Sequence, residues 1–442
     1  MGNKSKRNKG RKIQKRLCQI VCCVIIIVVC GCGKNSLPGA AQSITAAGRT
    51  SASGPVSDTG VLVKDSGIGT YEEPVAEEIS VGTLSKSQYD LQREEIGLTP
   101  EGIAQLQSKQ VGRYCYDSIS DEDKILYVEI LTILNSHAKD IRVSVNDADR
   151  LDDVFMCVFN DHPEIYWVDG YVYSRHDLAN DSFFTFGGRY VYDIDECRTF
   201  QIGIDRYVSM ALAGISRDAS QYDKVKYVYE YLIRQTEFVE GAKDNQNILS
   251  VFLYGKSVCQ GYAKATQYLL EKLGVPCVTV TGKVGAGQGH AWNLVNIDGS
   301  YYYLDTTWGD SAYLSENGMS VLGSREVSYT FLNITTQELE RTHTIDYVVP
   351  LPYCFATEAN YFVQEGLYFE SYDEQVLAQK FAEAKNAGRD YLCFKCSDAA
   401  VYARFTDQLI SQQKIFNVLP SENIRSIDYA TDENNYIMNF WF

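Results

Sequence analysis

The chain has 442 residues, 45% of them hydrophobic, which is enough to bury more than one core. Its formal net charge is −16, although the first 32 residues carry eight lysines and arginines and no acid, so the remainder is more acidic still. That balance excludes nucleic acid and an anionic membrane face as partners of the main body; it favours cationic or neutral substrates only weakly, and solubility alone would explain it.

Residues 1–16 form a basic leader, and 17–29 an apolar run shorter than a membrane-spanning helix requires. Val29-Cys30-Gly31-Cys32 resembles a bacterial lipobox, which implies a lipoprotein signal peptide over 1–32 and a lipidated Cys32 at the mature N-terminus. A single uncleaved N-terminal anchor is the alternative. Either reading puts the body on the extracellular face of a bacterial cytoplasmic membrane. Lys6 occupies the position where N-myristoylation needs Ser or Thr, so that modification is rejected. Residues 33–85 are rich in Gly, Ala, Ser and Thr and lack apolar periodicity, the pattern of a flexible linker.

An N-terminal α+β domain is expected over 86–204. Ser120, with Asp123 three residues on, starts a helix whose stripe is Ile125, Val128, Leu131, Ile133 and Leu134. The cluster Asp161-His162-Pro163-Glu164-Ile165-Tyr166-Trp167 precedes a β-like stretch at Tyr171–Tyr173. Its aromatic rings suit packing between domains better than the lining of a substrate groove, and His162 reads as a turn residue.

The next domain, 205–345, holds the residues that suggest chemistry. A helix over 222–236 turns Val225, Val228 and Leu232 inward, and a polar loop over 239–247 follows. Ser257 and Gln260 form a capping-box pattern, so a helix begins just after Ser257 and runs to Gly274-Val275-Pro276. Cys259 therefore falls in the first turn, where unpaired N–H groups and the positive dipole end favour a thiolate. Small Gly261 and Ala263 would let this helix lie close to a sheet. Residues 277–281 read as a short buried strand, and 282–289, with four glycines, as a mobile substrate-entry loop. Two strands then flank Asp298-Gly299, the signature of a two-residue hairpin. That register sets Ile297 opposite Ser300, Asn293 opposite Leu304 and Trp292 opposite Asp305. His290 becomes a diagonal neighbour of Asp305 on the same face, although a slip of one residue would separate them.

Each of the three has a plain structural reading alone: a buried small thiol, a satisfied histidine, a strand-end aspartate. Together a thiol at a helix start and an imidazole and carboxylate on one hairpin face make a nucleophile, its base and the base's orienter. A second, non-enzymatic class stays open, a surface binding or scaffold protein that keeps the same core; its 32 tyrosines suit that view. Arg341-Thr342-His343-Thr344 lies too far along the chain for a role to be derived, and His343 reads as structural.

Residues 350–442 form a third, α+β module with helices over 373–386 and 397–413, a strand over 391–395, and a hairpin of 427–429 with 436–442. Eight cysteines lie beyond the leader, too widely spaced for a disulfide framework. Cys393 and Cys396 make a C-x-x-C inside a strand-like run, a weak redox signal. No second Cys or His pair completes a zinc site, and neither metal nor cofactor is expected.

C-Q-G-Y-A, L-G-V-P-C-V-T-V-T-G, G-H-A-W-N-L-V and D-G-S-Y-Y-Y-L-D-T-T-W together resemble the transglutaminase-like superfamily, which includes transglutaminases, peptide N-glycanase-like enzymes and bacterial cysteine peptidases. The resemblance spans about a third of the chain. Thr306 departs from the Pro or Val more usual beside the aspartate. The resemblance implies an α+β, papain-like core, a nucleophile helix on an antiparallel sheet, with Cys259 as nucleophile, His290 as base and Asp305 as orienter. It implies cleavage or transfer of an amide acyl group through a thioester. The absence of a Ca²⁺-loop signature favours hydrolysis over cross-linking. Gln260, Tyr262, Gln246, Trp292 and Trp308 are the candidates for oxyanion or substrate contact. The expected partners are a protein, peptide or cell-wall amide and, through the lipid anchor, the membrane.

Overall fold

Three sheets of four or five strands, each with its own helices, follow one another along the described residues. The computed structural model describes residues 41–45, 71–178, 181–285, 287–310, 327–421 and 423–442. They belong to one unit, Pro38–Phe442. The expected signal peptide 1–32, its lipidated Cys32, and residues 311–326 lie outside them. Among the described residues no helix is long and apolar enough to cross a membrane.

Two strands fall inside the stretch expected to be pure linker. Strand β1 (Ala41–Thr45) pairs antiparallel with β15 (Ser426–Asp432), and β2 (Val75–Glu78) pairs parallel with β4 (Val168–Leu178). The reason is visible in β2: all four of its side chains are exposed, so no apolar period marks it. Such a strand is recruited through main-chain groups at a sheet edge rather than through an apolar face.

The N-terminal sheet has the order β2-β4-β5-β3, with β3 at Ile141–Val143 and β5 at Asp181–Tyr190. Its central helix, Asp121–Ser136, starts as expected: the Ser120 hydroxyl accepts the Asp123 N–H at 3.1 Å. His137 ends it in the left-handed region at φ 54°. Leu126, Val128, Ile130, Ile133 and Leu134 are buried, and the buried Glu129 carboxylate is matched by Arg93 at 2.7 Å and the Ser144 N–H at 2.8 Å. The following helix, Ala148–Asp161, delivers the acidic-aromatic cluster. There the Asp161 carboxylate accepts from the Cys115 and Tyr116 N–H groups and the Tyr127 hydroxyl, and His162 pairs with Glu164 at 2.8 Å. Tyr166 and Trp167 bond the carbonyls of Cys197 and Leu134. The rings are packing residues and not a groove. The expected boundary at 204/205 falls inside a helix, Ile194–Leu212, because that helix carries one apolar face across both halves.

The middle sheet has the order β11-β10-β9-β8-β12. Its strands are β8 (Cys277–Val284), β9 (Gln288–Ile297), β10 (Ser300–Leu304), β11 (Leu332–Ile334) and β12 (His343–Ile345). A helix over Gln221–Gln235 buries Val225, Val228 and Leu232, as the periodicity predicts. A short pair, β6 (Glu237–Phe238) and β7 (Lys256–Ser257), brackets a further helix, Ile248–Phe252. The glycine-rich stretch 282–289 is not a long loop. Strands β8 and β9 pair right through it, Gly282 opposite His290 and Val284 opposite Gln288, leaving a tight tip. Glycine lowers strand propensity, and the pairing of the two strands overrides that local preference.

The C-terminal sheet, β1-β15-β16-β14-β13, adds β13 (Tyr368–Phe369), β14 (Tyr391–Cys396) and β16 (Ile437–Trp441). Asp373 caps the helix Glu374–Asn386. The second expected helix begins at Ala399, two residues later than expected, with Asp398 as its cap, and after Ala399–Phe405 widens to a π-helix over Thr406–Ser411. Cys393 and Cys396, three apart on β14, point to opposite faces, and Cys396 is buried, so they do not make an exposed redox pair. None of the eight described cysteines is in a disulfide.

The middle sheet is covered on both sides. Val278, Val280, Leu294 and Tyr303 pack in one core with the N-terminal module. Val295, Ile297 and Leu304 pack in another with Leu269, Leu270 and the C-terminal module. The turn at the hairpin tip has positive φ at both Asp298 (51°) and Gly299 (90°), the arrangement whose twist matches the flanking strands. A Gly299→Ala variant should unfold at lower temperature, with a loss of about 1–2 kcal/mol from forcing an L side chain into that region, as read by thermal and urea denaturation.

Candidate active site

The nucleophile helix spans Cys259–Lys272. Its start differs from the expected capping box. Val258 is the N-cap, and no side chain caps the first turn. Ser257 lies in β7 and bonds Ser250 at 2.6 Å instead. The bare first turn leaves the positive end of the helix dipole to Cys259, its first residue. Gly261 permits a close approach, but to the segment upstream of the helix and not to the main sheet: a Cβ there would come 1.9 Å from the Ser257 hydroxyl and 2.6 Å from that of Ser250. The Ala263 carbonyl accepts from Asn293 of β9 at 3.0 Å, fixing helix to sheet.

The hairpin has the predicted register, with Ile297 opposite Ser300 and Asn293 opposite Leu304. One step beyond the ladder, His290 Nε2 and Asp305 Oδ2 stand 2.7 Å apart, and both groups are essentially inaccessible, at 0% and 1%. Asp305 also caps the short helix Thr306–Gly309, its Oδ1 accepting the Trp308 N–H at 3.0 Å. The carboxylate is thus fixed on both oxygens. The His290 ring lies close enough to the Cys259 thiol for the two to interact electrostatically, while its Nδ1 has no hydrogen-bond partner in this conformation. The structure therefore brings together the three residues that the sequence singled out.

A fourth residue joins them. His343, on β12, reaches the same Asp305 Oδ2 at 3.2 Å, while its Nδ1 meets the Thr342 hydroxyl at 2.7 Å. Contrary to what its place in the chain suggests, it is not remote from the hairpin. Nothing near it in sequence signals the role, because the sheet order that carries β12 beside β8 is not a local property. Its own neighbours are aromatic: Trp292, Trp308 and Phe331 lie with ring centroids 4.7–5.4 Å away.

Burial and charge set the two imidazoles apart. Burial disfavours protonated His290, but the Asp305 charge and hydrogen bond, with the Cys259 contact, outweigh it and raise its pKa to about 10. Burial dominates at His343 and lowers its pKa. For Asp305 burial is likewise opposed and overcome by the two rings, which hold it below the usual carboxylate range. The arrangement is an imidazolium–carboxylate pair beside a thiol, with a neutral second imidazole donating to the acid. His290, Asp305 and His343 also form the one group among the described residues whose ligand atoms lie within 4.8 Å of one another and could hold a metal ion. Both Nε2 atoms already address the carboxylate, so a cation would have to displace those hydrogen bonds.

The other candidates divide. Gln246 lies in the loop before the helix Ile248–Phe252, and its Oε1 accepts the Glu72 N–H at 3.1 Å. Gln260 is buried beside Cys259, and neither end of its amide has a hydrogen-bond partner. Trp292 and Trp308 flank His290, each with ring centroids 5.9 Å away. Tyr262 is a scaffold residue, its hydroxyl donating to Asp310 at 2.7 Å inside the protein. One contact was not foreseen at all: Tyr71, from the expected linker, packs on Cys259, Ala263 and Ala291.

A helix-borne thiol against a strand-borne imidazole and acid defines the class, a papain-like α+β thiol site. Residues 209–306 match the family model for the transglutaminase-like superfamily, a stretch that includes Cys259, His290 and Asp305. The chain carries a domain of that superfamily, a family of thiol enzymes. Over 127 residues it is 30% identical to the kyphoscoliosis peptidase of Mus musculus and 28% to that of Homo sapiens, in each case across 25% of this chain and 19% of the relative. The chain thus spans about a fifth of the length of the curated relatives it matches. A solved structure of a TGase is similar over 35% of this chain and 57% of its own, at 16% identity and a TM-score of 0.24.

Because His290 titrates above its ordinary 6.5, its contribution to stability is complete below pH 6.5 and is lost as the pH rises through about 10. Ring-labelled histidine NMR should show His290 charged from pH 5 to 8 with a midpoint near 10, and His343 neutral across neutral pH. A His290 midpoint near 6.5 would contradict the buried pair.

Proposed function

We propose that this chain is a thiol-dependent amide hydrolase or acyltransferase, with Cys259 as nucleophile, His290 as acid and base, and Asp305 as orienter. The observation that carries the reading is the 2.7 Å His290–Asp305 contact beside a thiol on an uncapped helix start. The Cys259 thiolate attacks an amide carbonyl, forming a C–S bond. The Nδ1 proton of His290 passes to the leaving amine as the C–N bond breaks, and a thioester remains. Water, deprotonated by the now neutral ring, releases the acid and restores the thiol; an amine in place of water gives transfer. Asp305 holds the ring by its Nε2 proton throughout. The backbone N–H of Cys259 at the helix start is one donor for the oxyanion, and Gln260, whose buried amide has no partner, and Gln246 are the side-chain amides proposed for a second. Hydrolysis is favoured over cross-linking for want of a Ca²⁺-loop signature. The lipobox-like leader supports an enzyme anchored at the outer face of a bacterial membrane, acting on a protein, peptide or cell-wall amide.

The scaffold reading has one observation in its favour: Cys259 is fully covered in this conformation. An activated acyl ester separates the two. Mass spectrometry should find a hydroxylamine-sensitive acyl group on Cys259, absent in Cys259→Ala, and Asp305→Asn should slow its turnover by about 10³–10⁴-fold through loss of ring orientation. Failure of any acyl group to form on a chain whose thiol accepts alkylation would favour the scaffold.

A further inference from the structure

Strand β9 overhangs its partner. Strand β10 pairs with it only from Asn293 to Ile297, so on that side residues 288–292 extend past the end of the ladder. The overhang carries His290 and lies beside the thiol. A segment from far upstream occupies this place. The Tyr71 N–H donates to the Gly289 carbonyl at 3.1 Å, and the next N–H, that of Glu72, donates to Gln246 Oε1 at 3.1 Å. Successive N–H groups of an extended chain point to opposite sides. The segment therefore passes between two walls, one from the β9 hairpin and one from the loop before the helix Ile248–Phe252, and each wall holds its main chain. The approach is close: a Cβ on Gly289 would come 2.9 Å from the Tyr71 carbonyl oxygen. Tyr71 packs against the cluster of Cys259, Ala263 and Ala291, with its hydroxyl buried and lacking a hydrogen-bond partner. A residue placed only to fill space would not carry an unsatisfied buried hydroxyl into the cluster that holds the thiol. Four residues on, β2 secures the segment to the N-terminal sheet, Val75 opposite Gly170.

We propose that Tyr71–Pro74 lies in the substrate cleft as a bound strand, so that the cleft is built for an extended polypeptide with an aromatic side chain against the cluster that holds the thiol, and that this segment must leave before a substrate enters. The proposal rests on the assignment of Cys259 as nucleophile. Main-chain capture by a strand edge on one side and a side-chain amide on the other selects a peptide backbone over a sugar or lipid amide. The chain's own segment then holds the enzyme in a covered state, which explains a reactive-site thiol with no exposed surface.

The test is the rate at which iodoacetamide alkylates Cys259 in the full chain, read by peptide mass spectrometry. Tyr71→Gly removes the ring, and Glu72→Pro removes the N–H that Gln246 holds; thermal melts confirm that each variant folds. Both should alkylate about tenfold faster than wild type or more, as expected when a cover is removed from a site otherwise reached by local opening. Acetyl-Tyr-Glu-Glu-Pro-amide added in trans should slow the Tyr71→Gly variant again, and acetyl-Gly-Glu-Glu-Pro-amide should not. Wild-type alkylation as fast as that of folded variants overturns the proposal, as does equal protection by the two peptides. The pH profile separates the two readings. Fast alkylation persisting well below pH 7 in all three chains leaves the nucleophile assignment standing and removes the covering strand. Slow alkylation in all three, rising only above pH 8, removes both.

Discussion

A single buried carboxylate organises the site. Asp305 accepts the Trp308 N–H on one oxygen and two imidazoles on the other. Burying an anion is costly unless every lone-pair direction is used, and here a helix start, a central strand and an edge strand each supply a donor. The same contacts explain why one imidazole is held charged and the other neutral. They also fix the first as the ring that meets the thiol. The rest of the middle domain serves this convergence: the hairpin sets His290 and Asp305 one diagonal step apart, and the nucleophile helix is fastened to the sheet by Asn293.

Much of this was legible in the chain because it is local. The Asp298-Gly299 turn fixed the hairpin register, and the register fixed the acid–base pair. The helix over 259–272 showed in its Gly274-Val275-Pro276 stop. What was not legible depends on distant strands. Ser257 looks like a cap because it precedes a helix, yet a two-residue strand turns it toward Ser250. The glycines at 282–289 suggest a loop, yet cross-strand pairing holds Gly282 and Gly289 in a ladder and leaves Gly285 and Gly287 at its tip. His343 belongs to the site only because β12 lies beside β8. Strand β2 and Tyr71 carry no apolar pattern, and they are held through main-chain groups that any sequence possesses.

The flanking modules are more than appendages. The N-terminal module covers the sheet face that bears Trp292 and Leu294. It is also attached to the nucleophile helix by Arg113 to Glu271 at 2.9 Å and by Gln267 Nε2 to the Asp161 carbonyl at 3.2 Å. Lys264, fully buried on that helix, sits over the Phe159 ring, and burial lowers its pKa well below the ordinary value. The acidic-aromatic cluster at 161–167 is therefore the seam between module and helix. The C-terminal sheet shares a core with the other side of the domain, so neither neighbour could be removed without exposing apolar surface of the middle domain.

The carboxylate also links the two halves of the central sheet. Asp305 follows β10, on one side of β9, while His343 belongs to β12, the outermost strand on the other side. Edge strands fray more readily than central ones. When β12 breathes, the acid loses one donor of three, and the ring beside the thiol keeps its own grip. The reacting geometry is thereby insulated from the motion of the sheet's least secure border, as a rope belayed at three points holds when one slips.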